Sequence, residues 1–138
     1  MLFRSRYCDQ HPEQATLLVP RAALWTPTHT YLEPDLFLLA QERLSTVDLG
    51  RLATADLVVE ILSPGSAIYD RNTKADTYAA MAVRELWLVD PELRIIEVRV
   101  GGDGGWSERR RFADDDTARS TVFSGLTVAM RDVFPVAG

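Results

Sequence analysis

A chain of 138 residues, 46% hydrophobic and 25% charged, has the composition of one globular domain, large enough to bury a core without disulfides and unlike a disordered or membrane-embedded chain. Its net charge of −5 argues against a protein that coats nucleic acid nonspecifically, since such binding rests on many cationic phosphate contacts, but leaves room for a local cleft. Cys8 stands alone and only His11 and His29 accompany it, which excludes an internal disulfide and argues against a Cys/His zinc cluster.

The apolar stretches are strand-sized, far short of the ~20 residues of a spanning helix. No hydrophobic segment of signal-peptide length follows Arg4 and Arg6, which predicts a cytoplasmic protein with no membrane partner. Residues 1 to 15 read as polar and irregular. Ala15 to Val19 and Ala22 to Trp25 predict two short strands, confined to edges or strand ends by Pro20 and Pro27. Leu36 to Ala40 is a buried strand with Asp35 at its mouth, and Gln41 to Ala53 is a polar connection with a turn at Asp48-Leu49-Gly50. Leu57 to Leu62 is an apolar strand interrupted by Glu60, closed by the turn residues Ser63-Pro64-Gly65-Ser66. Tyr69 to Val83 favours helix, with Asp70, Lys74 and Tyr78 at i, i+4 and i+8 on one face.

Glu85 to Asp90 is a nearly continuous apolar run, as expected of a strand covered on both faces, and Pro91 stops it. Strand, helix, strand order predicts a right-handed crossover that makes 57–62 and 85–90 parallel. Arg94 to Val100 and Trp106 to Phe112 read as an antiparallel hairpin around the glycine-rich loop 101–105. Ser120 to Phe123 predicts an edge strand, and Leu126 to Phe134 a closing segment.

Chemistry concentrates at Asp35, Glu60 and Lys74. A carboxylate inside a buried strand needs a cation, a metal ion or a hydrogen-bond donor, because unpaired it costs several kcal/mol or neutralises itself. Two carboxylates and a lysine are the parts a divalent-metal phosphodiesterase uses: oxygen ligands hold Mg²⁺ or Mn²⁺, and the lysine orients or helps deprotonate the attacking water. The plainer reading has Asp35 capping a turn, Glu60 paired with an arginine and Lys74 solvated, and spacing alone favours it, because such motifs recur by chance. Elsewhere the plainer reading prevails. The 101–105 loop is followed by no helix that would offer its N-terminus to a phosphate, and Arg109-Arg110-Arg111 reads as a solvated strand edge. The Asp114 to Asp116 triplet is a solvated turn without the pattern of a Ca²⁺ loop. Ser63 and Ser66 lack the frame of a serine nucleophile. Trp87 belongs to the core, and Trp25 and Trp106 to core or edge packing.

Several ordered motifs go together: Pro34-Asp35, Val59-Glu60-Ile61-Leu62-Ser63-Pro64, Asp70-Arg71-Asn72-Thr73-Lys74, Tyr78-Ala79 and Leu86-Trp87-Leu88-Val89-Asp90-Pro91. Over about Pro34 to Pro135 they resemble the Uma-two family, long called a domain of unknown function, within the PD-(D/E)XK restriction-endonuclease-like superfamily. The resemblance implies an α/β fold with a restriction-endonuclease-like mixed central β-sheet flanked by helices. It implies Asp35 and Glu60 as ligands of Mg²⁺ or Mn²⁺, with the carbonyl of Ile61 as a further ligand. The superfamily's usual lysine position, two residues after the acidic residue, is Leu62 here, and the family's lysine on the helix maps onto Lys74. Asp70 matches the acidic residue before it as a supporting or second metal-site group, and Tyr78 is a supporting residue on the same face. The family's longer helical N-terminal segment has no match in residues 1–33, so the expectation is a single domain, 1–138, lacking part of that segment.

The function implied is metal-dependent cleavage of DNA phosphodiester bonds. The alternative is a nuclease-fold module that has lost catalysis and serves binding or assembly; metal affinity at Asp35 and Glu60 separates them. A short chain with many apolar strands leaves an edge or face to cover, which predicts a homodimer. Sedimentation velocity at high micromolar concentration is expected to show a dimer, and a monomer there removes this expectation.

Overall fold

The computed structural model describes residues 15–18, 23–25, 31–44, 52–64, 70–102 and 105–134, and of residues 15–18, Trp25, Tyr31, Leu44 and Asp70 the backbone alone. The stretch before Ala15 and the expected turns at 48–50 and 65–66 lie outside the described residues. The strands are β1 Ala15–Leu18, β2 Leu24–Trp25, β3 Tyr31–Leu32, β4 Leu36–Ala40, β5 Leu57–Ile61, β6 Glu85–Asp90, β7 Ile95–Gly102, β8 Gly105–Phe112, β9 Thr117–Arg119 and β10 Thr127–Ala129. Helix α1 is Gln41–Leu44, a π-helical turn Asp70–Lys74 runs into α2 Ala75–Ala80, and α3 is Met130–Val133.

Six strands form one mixed sheet in the order β1-β4-β5-β6-β7-β8, with β9-β10 and β2-β3 as separate two-stranded ribbons. The pair β5·β6 is parallel, joined by the crossover through α2, and the sheet's other pairs are antiparallel. Side chains alternate across a strand, so one sheet lined by apolar residues on both faces makes two cores. On one face Leu36, Leu38, Leu57, Val59, Trp87 and Val89 pack against Phe123, Val128, Met130 and Phe134. On the other, Phe37, Leu39, Val58, Leu86 and Leu88 pack against Leu52, Ala75, Tyr78, Met81 and Val83. Trp87 and Tyr78 are the largest fully buried side chains, one in each core. The described helices are short, and the β9-β10 ribbon with α3 packs on the first face.

Three elements differ from expectation, the first being Gln41–Leu44, which opens the stretch expected as a polar connection and forms α1. The helix expected over Tyr69 to Val83 is a π turn and six α-helical residues, because Ala82 takes φ 60° and the Val83 N–H returns to the Tyr78 carbonyl at 3.1 Å. That closure turns the chain into β6 and leaves Met81 and Val83 buried. Gly101, at the bulge in β7, is needed by this same corner: its N–H reaches the Arg84 carbonyl at 2.7 Å, and a Cβ would lie 2.6 Å from the Val83 carbonyl oxygen.

Ser120 to Phe123 is not a strand. The Thr121 and Val122 amides donate to Glu85 Oε2 at 2.6 and 3.2 Å, and the Phe123 amide donates to Ser120 Oγ at 2.9 Å, so the donors of a β ladder are taken. Glu85 is fully buried and also accepts the Trp87 indole N–H at 2.6 Å. A second buried carboxylate, Asp56, accepts the Ala40 amide at 2.8 Å and two donors of Arg43 at 2.9 and 3.0 Å. Burial alone would raise the Asp56 pKa, but Arg43, the Ala40 amide and Arg84 outweigh it and hold the group below its usual range.

Glu85→Ala strands one indole and two amide donors in the interior, and is expected to cost roughly 3 kcal/mol or more in urea denaturation. A change within ~0.5 kcal/mol, the scale of an ordinary surface substitution, contradicts this clamp.

Candidate functional site

Glu60 is the fourth residue of β5, on the face shared with Val58 and α2, and is 2% exposed. The crossover that makes β5 and β6 parallel lays the Asp70–Lys74 turn and α2 over that face. Tyr78, buried in the core, donates its hydroxyl to Glu60 Oε1 in a short hydrogen bond. Lys74, one helical turn earlier, sets Nζ 3.5 Å from Glu60 Oε2. The β4–β5 register puts Leu36 opposite Val59, which brings Asp35 level with Glu60 and, by alternation, toward the same face. Asp35 is tied there by the Ile61 amide, which donates to its Oδ2 at 2.6 Å.

Asp35, Glu60, Ile61, Lys74 and Tyr78 thus meet at the C-terminal end of β5. The side chain of Asp70 lies outside the described residues. Burial pushes the Glu60 carboxyl up and the nearby Asp35 charge adds to it. The Tyr78 hydrogen bond and Lys74 pull the other way, and the group settles at about 7. Ile61, 39% exposed, marks the open side of the cluster.

The chain carries one lysine among its fifteen basic residues, and that lysine is Lys74. Fourteen arginines and a single lysine set against a buried carboxylate is a compositional signal that helical spacing does not reveal. A further set on the same face also escapes sequence reasoning. Arg71 Nη2 donates to Asp90 Oδ2 at 3.1 Å, and Arg99, 5% exposed, donates to Glu97 Oε2 at 3.2 Å and to the Arg71 carbonyl at 3.4 Å. Across the sheet Glu60, Leu88 and Glu97 occupy one row of the register, so this set is adjacent to Glu60.

A family model described as "Uma2: Putative restriction endonuclease" matches residues 2–131. This chain belongs to the Uma2 family. The match begins at residue 2 and takes in the stretch ahead of Pro34, where the motif likeness starts. Among solved structures the Uma2 chain is similar to "a putative nuclease belonging to DUF820 from Anabaena variabilis ATCC 29413", with a TM-score of 0.72 and 18% identity over 96% of this chain and 78% of that one. At that identity the likeness establishes the fold, an α/β domain built on a mixed sheet. No curated protein matches the chain. No described helix is long and apolar enough to cross a membrane.

Of the residues the sequence singled out, Asp35, Glu60, Ile61, Lys74 and Tyr78 converge on this Uma2 sheet face, and several other described ones take ordinary structural places. Arg110 donates to the Arg119 carbonyl and Thr121 Oγ1 at 3.1 and 2.6 Å, while Arg109 and Arg111 are exposed. Asp116 caps its own turn through the Ala113 amide at 2.8 Å. Trp106 is half-buried against α2, its indole donating to the Ala75 carbonyl at 3.1 Å.

A carboxyl raised from 4.5 to about 7 on folding keeps its proton in the native state where the unfolded chain has lost it. Its contribution is fully present below about 4.5 and is lost as pH rises through about 7. With divalent ions chelated, the stability of wild type relative to Glu60→Gln is expected to fall by on the order of 3 kcal/mol between those limits. Denaturation at a series of pH values checks this, and a difference that stays flat across the window contradicts the burial argument.

Proposed function

We propose that this chain is a Mg²⁺- or Mn²⁺-dependent endonuclease that hydrolyses DNA phosphodiester bonds at the end of β5. The observation that carries the reading is the meeting of Asp35, Glu60 and Lys74 on one face of the sheet, with Glu60 buried and pushed up in pKa partly by Asp35. A buried carboxylate, Glu60, whose proton affinity is raised by burial and by the nearby Asp35 charge, is relieved by a divalent cation at this open sheet end. The donors are hard oxygens, and among the described residues no group of three or more His, Cys, Asp or Glu gathers into a cage. That donor set suits Mg²⁺ or Mn²⁺, held by one or two carboxylates and completed by solvent and substrate phosphate, and it does not suit structural zinc.

Asp35, Glu60 and the carbonyl of Ile61 would hold the ion. When bound, the ion neutralises charge that develops on the phosphate. The Ile61 amide fixes Asp35, and Tyr78 fixes Glu60 through Oε1, so the two carboxylates are oriented before substrate arrives. Lys74 cannot ligate a cation. Its ammonium orients the attacking water and stabilises negative charge in the transition state. Asp70 is assigned a supporting role, from its place in the same turn.

A competing reading is a nuclease-fold module without catalysis, favoured by one observation: Tyr78 and Lys74 already satisfy Glu60 within the protein. Calorimetry with Mn²⁺ and plasmid nicking separate the two. Lys74→Met is expected to retain Mn²⁺ binding and lose cleavage by about 10²–10³, the usual scale for removing one group that stabilises transition-state charge. Glu60→Ala is expected to lose both. Equal Mn²⁺ affinity in wild type and Glu60→Ala overturns the site, and a wild type that neither binds metal nor nicks DNA favours the inert module.

A further inference from the structure

We infer that Arg71 is a positioning residue for Lys74, acting through a brace to Asp90 on β6 and Arg99 on β7; its consequence for cleavage rests on the nuclease reading. The segment that carries Lys74 has little of its own to hold it. A π-helical turn is rare and depends on its surroundings, and the six residues of α2 are far below the ~12–15 at which a helix stands alone. Helix α2 opens at Lys74 without a side-chain hydrogen bond to cap it. The path of the turn is therefore set by tertiary contacts, and these fall on either side of Lys74.

After Lys74, the Ala75 carbonyl accepts the Trp106 indole and Tyr78 reaches Glu60. Before it, Arg71 is gripped twice. Its guanidinium donates to Asp90 Oδ2 at 3.1 Å, while its carbonyl accepts from Arg99 Nη1 at 3.4 Å. Asp90 is itself immobilised, its Oδ1 accepting the Glu92 and Leu93 amides at 3.0 Å each, and Arg99 is pinned to Glu97 at 3.2 Å. Asp90 and Arg99 are each 5% exposed, so both anchors sit in the sheet rather than in solvent. The turn is thus strung across the sheet face from β7 and β6, at Arg71, to β5, where Lys74 meets Glu60. Release of Arg71 frees the start of the turn, and Lys74 withdraws.

The single lysine makes the test specific. Amine acylation of the folded protein, free of DNA and metal, reads Lys74, with the N-terminal amine separated by peptide mapping. Exposure of the amine is what the reaction reads: while Nζ stays against Glu60 it is 3.5 Å from a carboxylate oxygen and partly shielded, whereas withdrawal from Glu60 opens it to the reagent and speeds the reaction. We expect acylation about fivefold faster in Arg71→Ala, the scale of losing a partly exposed ion pair, with the urea midpoint close to wild type. Asp90→Asn, a milder change that keeps Oδ1 as an acceptor, is expected to accelerate acylation as well.

In plasmid nicking, Arg71→Ala is expected to slow wild type but to change nothing further in a Lys74→Met background, which is the signature of one residue acting through another. Acylation of Lys74 that is unchanged or slower in both variants overturns the brace. So do nicking losses that add in the double variant, which instead make Arg71 a direct contact to DNA. A wild type that does not nick DNA defeats the nuclease reading alone, because acylation still decides whether Arg71 places Lys74.

Discussion

One constraint organises this molecule: a carboxylate, Glu60, lies within an apolar sheet face and has to be met by donors. The same face must also be covered by the crossover between β5 and β6, since parallel strands cannot be joined by a tight turn. Both demands are answered by one segment. The π turn and α2 deliver Ala75 and Tyr78 to the core and, from the same turns, the Tyr78 hydroxyl and the Lys74 ammonium to Glu60. Packing and chemistry are therefore not separable here. A change that shifts α2 to relieve the core also shifts the two groups that face the carboxylate.

Buried charge is handled in three different ways along this one sheet. Asp56 is neutralised by Arg43 and an amide, and its pKa falls. Glu85 gathers one indole and two amide donors and fixes the loop after β9. Glu60 is buried and stands close to a second carboxylate, Asp35, and its proton affinity rises. The first two arrangements are complete within the chain. The third becomes less favourable as pH rises through neutrality, and a cation from outside would relieve it. That contrast, more than the bare presence of carboxylates, is what sets the end of β5 apart.

Much of the fold was legible because local pattern and tertiary demand agree. The run Glu85 to Asp90 and the run Leu36 to Ala40 form strands with the expected bounds, and strand, helix, strand order yields the parallel pair. Helical arithmetic likewise puts Lys74 and Tyr78 on the face that meets Glu60. What was not legible depends on partners remote in sequence. Ser120 to Phe123 has the composition of a strand, but Glu85, some 36 residues earlier, takes its amides. The helix stops short of Val83 because the corner into β6 requires Ala82 in a left-handed conformation and a glycine at position 101 to let backbone approach. The Arg71, Asp90, Arg99 set assembles from a turn and two strands, and no local spacing announces it.

Manganese placed by anomalous diffraction tests the central claim most directly. In crystals of the wild-type protein equilibrated with Mn²⁺ near pH 8, above the raised pKa of Glu60, the account predicts an anomalous peak at the end of β5 beside Asp35 and Glu60. An occupied Mn²⁺ elsewhere in the same crystal, with Glu60 still paired only to Tyr78 and Lys74, would contradict it.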